Sequence, residues 1–464
     1  MTKDAPLPAP AEIAALFSRP SVWQSWLDVE AALAETQAAL GMIPADAARE
    51  IATRARLETI GEAALAADIA KTRAPVVSMA RLLARACAGD AGGFVHWGAT
   101  TQNVVQTGRV LLMRRAHAAL MRRLAAILDR LAAFAEAEAG TVTMARTNIR
   151  HALPITFGFK AAGWIEEFLR HEARFHDAAP RVFRAQWGGA VGAMHAVGGR
   201  GPELNRRLAA RLGLGWHAIP SRAGLDTFAE YVLLLGLFAA TCGKIARDLY
   251  MMMSDEFGEV IEDLGEEVIG SSTMPHKVNS KIAVNVIALA ARVRAQVPLA
   301  LEAMQPSFEG DGANNQMLSA LVDQACPLAY ELAAQMEELL GAIRLVPAGI
   351  RRNLDLSRAF IATENTAMAL APILGRTTAH AIVHHAVAEA VRTGEDLASL
   401  IAGAPEAAGL VDAAMIRETL DPAHYIGQSI ELALAMVEPA RTAARRLRAC
   451  AASPTEMPEA GDRR

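Results

Sequence analysis

A chain of 464 residues, 52% hydrophobic and only 5% aromatic, is too long for one ordinary core, and its composition favours packed helices over sheet. Its formal net charge of −4 at pH 7 offers no general attraction to nucleic acid or an anionic membrane, so neither is expected as a partner. The four cysteines (Cys87, Cys242, Cys326 and Cys450) show no CxxC or Cys/His ligand spacing, which argues against a disulfide framework and a structural zinc site.

The first stretch, Met1 to Glu12, is polar and proline-containing with no apolar h-region, so no signal peptide is expected and a cytoplasmic location is. To about residue 100 the pattern predicts short helices broken at Pro20, Pro44, Pro75 and the glycines of 89–93. Thr101 to Ala139 has no Pro and one early Gly, and predicts a single long helix. A second helix is predicted from Pro154 into Arg174, with Pro in its first turn. A third is predicted from Leu225 to Asp263.

In that third helix Phe228, Val232, Leu235, Ala239, Cys242, Ala246, Leu249 and Met253 recur at spacings of four and three, an apolar seam of heptad type. Its most apolar run, Tyr231–Gly243, is too short to span a bilayer. Helices of about 40 residues reach roughly 60 Å. A single small domain cannot cover that length, so side-by-side assembly of subunits is expected. Further helical patterns follow at 280–303 and 316–344. From Ile350 they shorten to Leu356–Leu370, Thr377–Arg392, Ala413–Leu420 and Ala423–Arg448, and the tail Pro454–Arg464 is expected to be disordered. The reading is an all-α subunit: residues 1–100 as an N-terminal helical domain, 101–349 as a central long-helix bundle, and 350–464 as a C-terminal helical domain.

The segment that carries chemistry is Gly270-Ser271-Ser272-Thr273-Met274-Pro275-His276-Lys277-Val278-Asn279. Hydroxyls, backbone N–H groups and an ammonium within a few residues suit an anion whose charge develops during reaction. The same run reads equally well as a capping loop between helices. It matches GSSxMPxKxN, the motif of the fumarase/aspartase superfamily, at every defined position. Val95-His96-Trp97-Gly98-Ala99-Thr100-Thr101-Gln102 resembles the first substrate segment of the adenylosuccinate lyase and 3-carboxy-cis,cis-muconate cycloisomerase branch. Arg146-Thr147-Asn148-Ile149-Arg150-His151-Ala152-Leu153-Pro154 resembles the second. Arg352-Asn353-Leu354-Asp355 and Leu374-Gly375-Arg376 resemble the cycloisomerase in particular.

The resemblance implies a three-domain helical subunit in a homotetramer with a tetrameric helical core, each active site drawing its three segments from three subunits. It implies Ser271 as the general base, Lys277 and Asn279 as residues that bind a substrate carboxylate and steady the carbanion, and His151 as a pocket histidine. His96, Thr100 and Thr101 match contacts to substrate carboxylate, and Gln102, Asn148, Arg150, Ser272 and Met274 fall within the matching substrate segments. No metal or cofactor is implied. A serine hydroxyl is a poor base, so Ser271 must be activated by a neighbouring ammonium and converging N–H donors. Gly265 and Gly270 bracket the approach to the loop, which suits a lid.

The chain also departs from its relatives. Asn148 stands where adenylosuccinate lyases carry a candidate acid histidine and cycloisomerases carry Trp, and Arg150 stands where Gln is usual. Asn103 and Gln106 replace aspartates. Gly224-Leu225-Asp226-Thr227 replaces an Arg-Asp-Arg stretch, and Glu309-Gly310-Asp311-Gly312 stands where relatives have Glu-Arg. The expected chemistry is anti β-elimination, or its reverse, on a small succinate-like polycarboxylate. An amine leaving group needs a proton and a stable anion does not, so Asn148 favours a carboxylate or nitrite leaving group, as in a cycloisomerase-like reaction. A C–N lyase releasing fumarate from an N-substituted aspartate is the alternative. A non-catalytic relative is disfavoured by the joint presence of Ser271, Lys277 and Asn279.

Overall fold

The computed structural model describes residues 6–265, 267, 268, 270, 273, 274 and 277–452. The chain is built on four long helices: Thr101–Ala137, Phe157–Val182, Asp226–Met252 and Gly312–Ala342. Alanine, leucine and other strong helix formers fill the first of them, and extended Thr100 leads into it. At 37 residues it is about 55 Å long. It packs against Phe157–Val182, Gly312–Ala342 and the last helix, Val437–Ala452.

The seam of the third helix is buried within one chain. Phe228, Val232, Leu235, Ala239, Cys242, Ala246 and Leu249 are each at most 2% exposed, covered by Ile282–Arg294, Gly312–Ala342 and Phe157–Val182. Each buried Leu or Val there contributes about 1.5–3 kcal/mol of transfer energy. The seam is therefore core of the subunit, and the faces left open lie elsewhere. By length and composition, Asp226–Met252 and Ile282–Ala303 could each cross a membrane, but the most apolar window of the first is 67% buried inside the chain. The same window of Ile282–Ala303 is only 33% buried, and Val284 and Leu301 stand exposed on it.

One apolar core runs from Ile13 in the first helical stretch, through the long helices, to Leu447 in the last. A second, between Leu370 and Leu420, holds the short C-terminal helices together, and a small third one gathers Trp187, Leu204 and Leu208 onto Ala32 and Leu33.

Two boundaries differ from the sequence pattern. Pro154 does not open a helix. It lies in the strand Arg150–Thr156, opposite Met144 of the antiparallel strand Val142–Thr147. The helix starts at Phe157, where the Thr156 hydroxyl accepts from Phe159 N at 3.2 Å, and a threonine cap outcompetes a proline start. The third helix stops at Met252 rather than Asp263. The chain turns through Gly258 (φ 55°), and Val260–Glu262 pairs antiparallel with Ile343–Leu345. Helix Pro347–Ser357 then crosses so closely that a Cβ on Gly349 would lie 1.8 Å from the Gly258 carbonyl oxygen. Only glycine fits there.

Candidate active site

The first segment hangs from a buried carboxylate. Glu30, 1% exposed, accepts from His96 N at 3.2 Å and meets His96 Nδ1 at 2.5 Å, while His96 itself adopts φ 61°. Burial pulls the imidazole down, but the hydrogen bond and charge of Glu30 outweigh it, and the net shift is upward. Thr100 is half-buried, Thr101 exposed and Gln102 buried at the start of the long helix.

The two amides that replace aspartates have clear partners. Asn103 accepts from Gly189 N at 3.0 Å and donates to Gly189 O at 3.5 Å, and Gln106 Nε2 donates to Arg222 O at 3.2 Å. A carboxylate could not donate to either carbonyl. These departures hold loops in place.

The second segment is the tip of the hairpin. Thr147 pairs with Arg150 across a two-residue turn in which Asn148 (φ 50°) and Ile149 (φ 66°) are both left-handed, the geometry of a type I′ turn. Asn suits such a position. A β-branched isoleucine is strained in it, and Ile149 is also 73% exposed. Asn148 and Arg150 face solvent, while half-buried His151 sets Nδ1 2.7 Å from Ser357 Oγ. Burial, then Arg146, with a smaller contribution from Arg150, holds this imidazole below its usual range, against the opposing charge of Glu259.

The hairpin is anchored by an ion pair. Arg146 Nη1 donates to Glu259 Oε2 at 2.9 Å, and Asn353 Nδ2 donates to Glu259 Oε1 at 2.7 Å. The Arg146 guanidinium also stacks 4.7 Å from the Phe257 ring centroid. Glu259 immediately precedes the strand that leads into the serine loop, so this network joins the second segment to the root of the third.

Glu262 closes that root. Its carboxylate accepts from Ser280 Oγ (2.7 Å), Lys281 N (2.7 Å), Ile282 N (3.1 Å) and Ala283 N (2.8 Å), capping helix Ile282–Arg294 and pinning both ends of the intervening loop. On the loop Met274, Lys277 and Asn279 are exposed, and Lys277 N donates to Met274 O at 2.9 Å. Ser271 and Ser272 lie outside the described residues.

The single chain does not bring the three segments together. Thr101 begins a helix about 55 Å long, and the hairpin follows that helix's far end. Even a hairpin strand of six residues folded straight back would recover only about 20 Å. No hydrogen bond or ion pair among the described residues joins one segment to another. A cavity of about 600 Å³ beside the loop root, bounded by Asp263, Leu264, Arg123, Arg130 and Glu337, contains no segment residue.

Sequence reasoning missed Glu30, Glu259, Glu262 and Ser357, each of which touches a segment from a distant element. A lone acid inside an apolar helix, such as Glu30, was the only available sign.

Residues 9–295 match a family model described as Lyase, and residues 359–434 match one described as Adenylosuccinate lyase C-terminus. The chain is 34% identical over 421 residues to N-acetyl-S-(2-succino)cysteine lyase of Enterococcus italicus, covering 90% of this chain and 91% of that protein. It is 35% identical over 432 residues to 3-carboxy-cis,cis-muconate cycloisomerase of Pseudomonas aeruginosa, covering 92% and 94%. The crystal structure of 3-carboxy-cis,cis-muconate lactonizing enzyme from Pseudomonas putida superposes with a TM-score of 0.84 at 31% identity, covering 95% of this chain and 98% of that one. Motif, helical architecture and relatives agree: the chain belongs to the fumarase/aspartase superfamily and is one of its lyases.

Proposed function

We propose that the chain catalyses anti β-elimination, or the reverse addition, on a succinate-like polycarboxylate whose leaving group departs as a stable anion. Ser271 takes the proton from the carbon next to the carboxylate. Lys277, Asn279 and the first-segment donors hold the enediolate, and its electrons expel the group on the neighbouring carbon. The observation that carries this reading is the hairpin tip. It offers neutral Asn148 and a His151 kept short of protons by burial and Arg146, so no ready acid stands there for an amine leaving group. A carboxylate or nitrite needs none, and neither does a thiolate, the leaving group that the name of the succinocysteine relative points to. The match of residues 359–434 to the adenylosuccinate lyase C-terminus keeps a C–N lyase as the second reading.

The test is to incubate the protein with succinyl-type acids bearing carboxylate, thiolate, nitro and amine leaving groups and follow the conjugated enoate in the ultraviolet. Turnover of an anion-releasing acid, abolished in Ser271→Ala, is expected. Preference for the N-substituted aspartate would put the second reading ahead.

The working unit in this proposal is a homotetramer. The separation of the first two segments along one helix supports it, as does the apolar face left open on Ile282–Ala303. Mixing inactive His151→Ala with inactive Ser271→Ala should restore some intact sites. A mixture that stays inactive after subunit exchange would count against shared sites.

A further inference from the structure

Beyond the motif residues, one cation next to the first segment has no assigned role. Arg222 lies in the loop before the third long helix, and its carbonyl receives Gln106 Nε2 at 3.2 Å, one helical turn past Gln102. Its Nη1 donates to Ala190 O at 3.2 Å, in the glycine-rich loop that Asn103 holds through Gly189. Its Nε is buried without an acceptor, and no ion pair among the described residues includes it. The guanidinium lies against Gly310: a Cβ there would sit 2.6 Å from Nε, 2.9 Å from Cζ and 3.0 Å from Nη2. The side chain can occupy this position because residue 310 is glycine. The amides nearest it on the long helix, Asn103 and Gln106, carry no charge to balance it.

A half-buried guanidinium without a counter-ion is costly unless an anion completes it. Its planar fork suits a carboxylate, and it stands beside the segment that carries His96, Thr100 and Thr101. We infer that Arg222, seated over Gly310, is the specificity-determining residue that receives a substrate carboxylate beyond the two of the succinyl unit. This rests on the reading of the substrate as a polycarboxylate. The two family departures become one device: the glycine at 310 makes room, and the arginine at 222 fills it.

The experiment is calorimetric titration of the intact protein with succinate and with tricarballylate, which adds a third carboxylate, alongside the melting temperature of each variant. The wild-type chain should bind tricarballylate at least about tenfold more tightly, the worth of a charge-assisted hydrogen bond. In Arg222→Gln that preference should collapse towards one while succinate binding holds. Arg222→Lys should keep part of it. Gly310→Ala, with its melting temperature unchanged, should lower it because the guanidinium must move. An unchanged preference in Arg222→Gln, or equal weakening of both acids, overturns the assignment and leaves the polycarboxylate reading standing. Should Arg222→Gln fail to fold, an unchanged preference in both Arg222→Lys and Gly310→Ala overturns it equally. Failure of both acids to bind the wild-type chain would remove that reading and the inference with it.

Discussion

Asn148 sits at an exposed turn position with φ 50°, where its side chain can offer a neutral hydrogen bond and nothing stronger. Asn148→Ala is therefore expected to cost about 0.5–1.5 kcal/mol, up to about tenfold in kcat, with no acid limb lost from the pH profile. A bell-shaped profile whose acid limb disappeared in a His151 variant would assign the proton to His151 instead. His96 behaves in the opposite way, because Glu30 lifts its protonation above the ordinary range against the pull of burial. In Glu30→Gln the imidazole should lose its charge at lower pH. KM for an anionic substrate should then rise most at neutral and alkaline pH, and the deficit should shrink as the pH is lowered. A KM penalty that ignored pH would mean Glu30 only holds the backbone of the segment.

The hairpin that presents Asn148 and His151 shows how an element is tuned against its own propensity. Its two-residue turn asks for left-handed residues twice, and Ile149 answers with a β-branched side chain that is 73% exposed. Such strain costs about 1–3 kcal/mol. Ile149→Gly should recover part of it, about 1 kcal/mol after glycine's extra chain entropy, read as an upward shift in the denaturant midpoint. Loss of turnover in that more stable variant would show that the isoleucine is kept for contact with substrate or a neighbouring subunit. The hairpin can bear the strain because the Arg146–Glu259–Asn353 network and the His151–Ser357 contact fix both its strands from outside. The clamp made by Glu262 does the same for the root of the serine loop.

At the scale of the molecule, three histidines are folded in without protons. Burial pulls His117, His171 and His217 from 6.5 down to about 4 each. His117 lies among the rings of Phe175, Phe183 and Tyr231. Their folded pKa values are depressed, so the stability they contribute is full above 6.5, falls as the pH drops, and is lost once it has passed through about 4. For one fully excluded imidazole the swing is on the order of 3 kcal/mol. Urea unfolding of the intact protein should thus weaken steadily between neutral pH and pH ~4, and His117→Phe should flatten the curve. A curve identical in the variant would remove His117 from the account.

Local chemistry was legible in the residues themselves. Unbroken Ala- and Leu-rich stretches specify long helices because propensity and periodicity act over neighbours, and Thr101–Ala137 falls within two residues of its expectation. The serine-loop motif and the two other segments could be read for the same reason: their chemistry is written in consecutive residues. What the tertiary structure decided is every relation between distant residues. Pro154 is consistent with a helix start until Met144 pairs opposite it. The heptad seam reads as an interface until three helices of the same chain cover it. Asn103 and Gln106 read as altered substrate contacts until their partners prove to be backbone carbonyls. Glu30, Glu262 and Arg222 carry no local sign of their tasks, because a hydrogen bond between residues far apart in the chain exists only once the chain has closed around it.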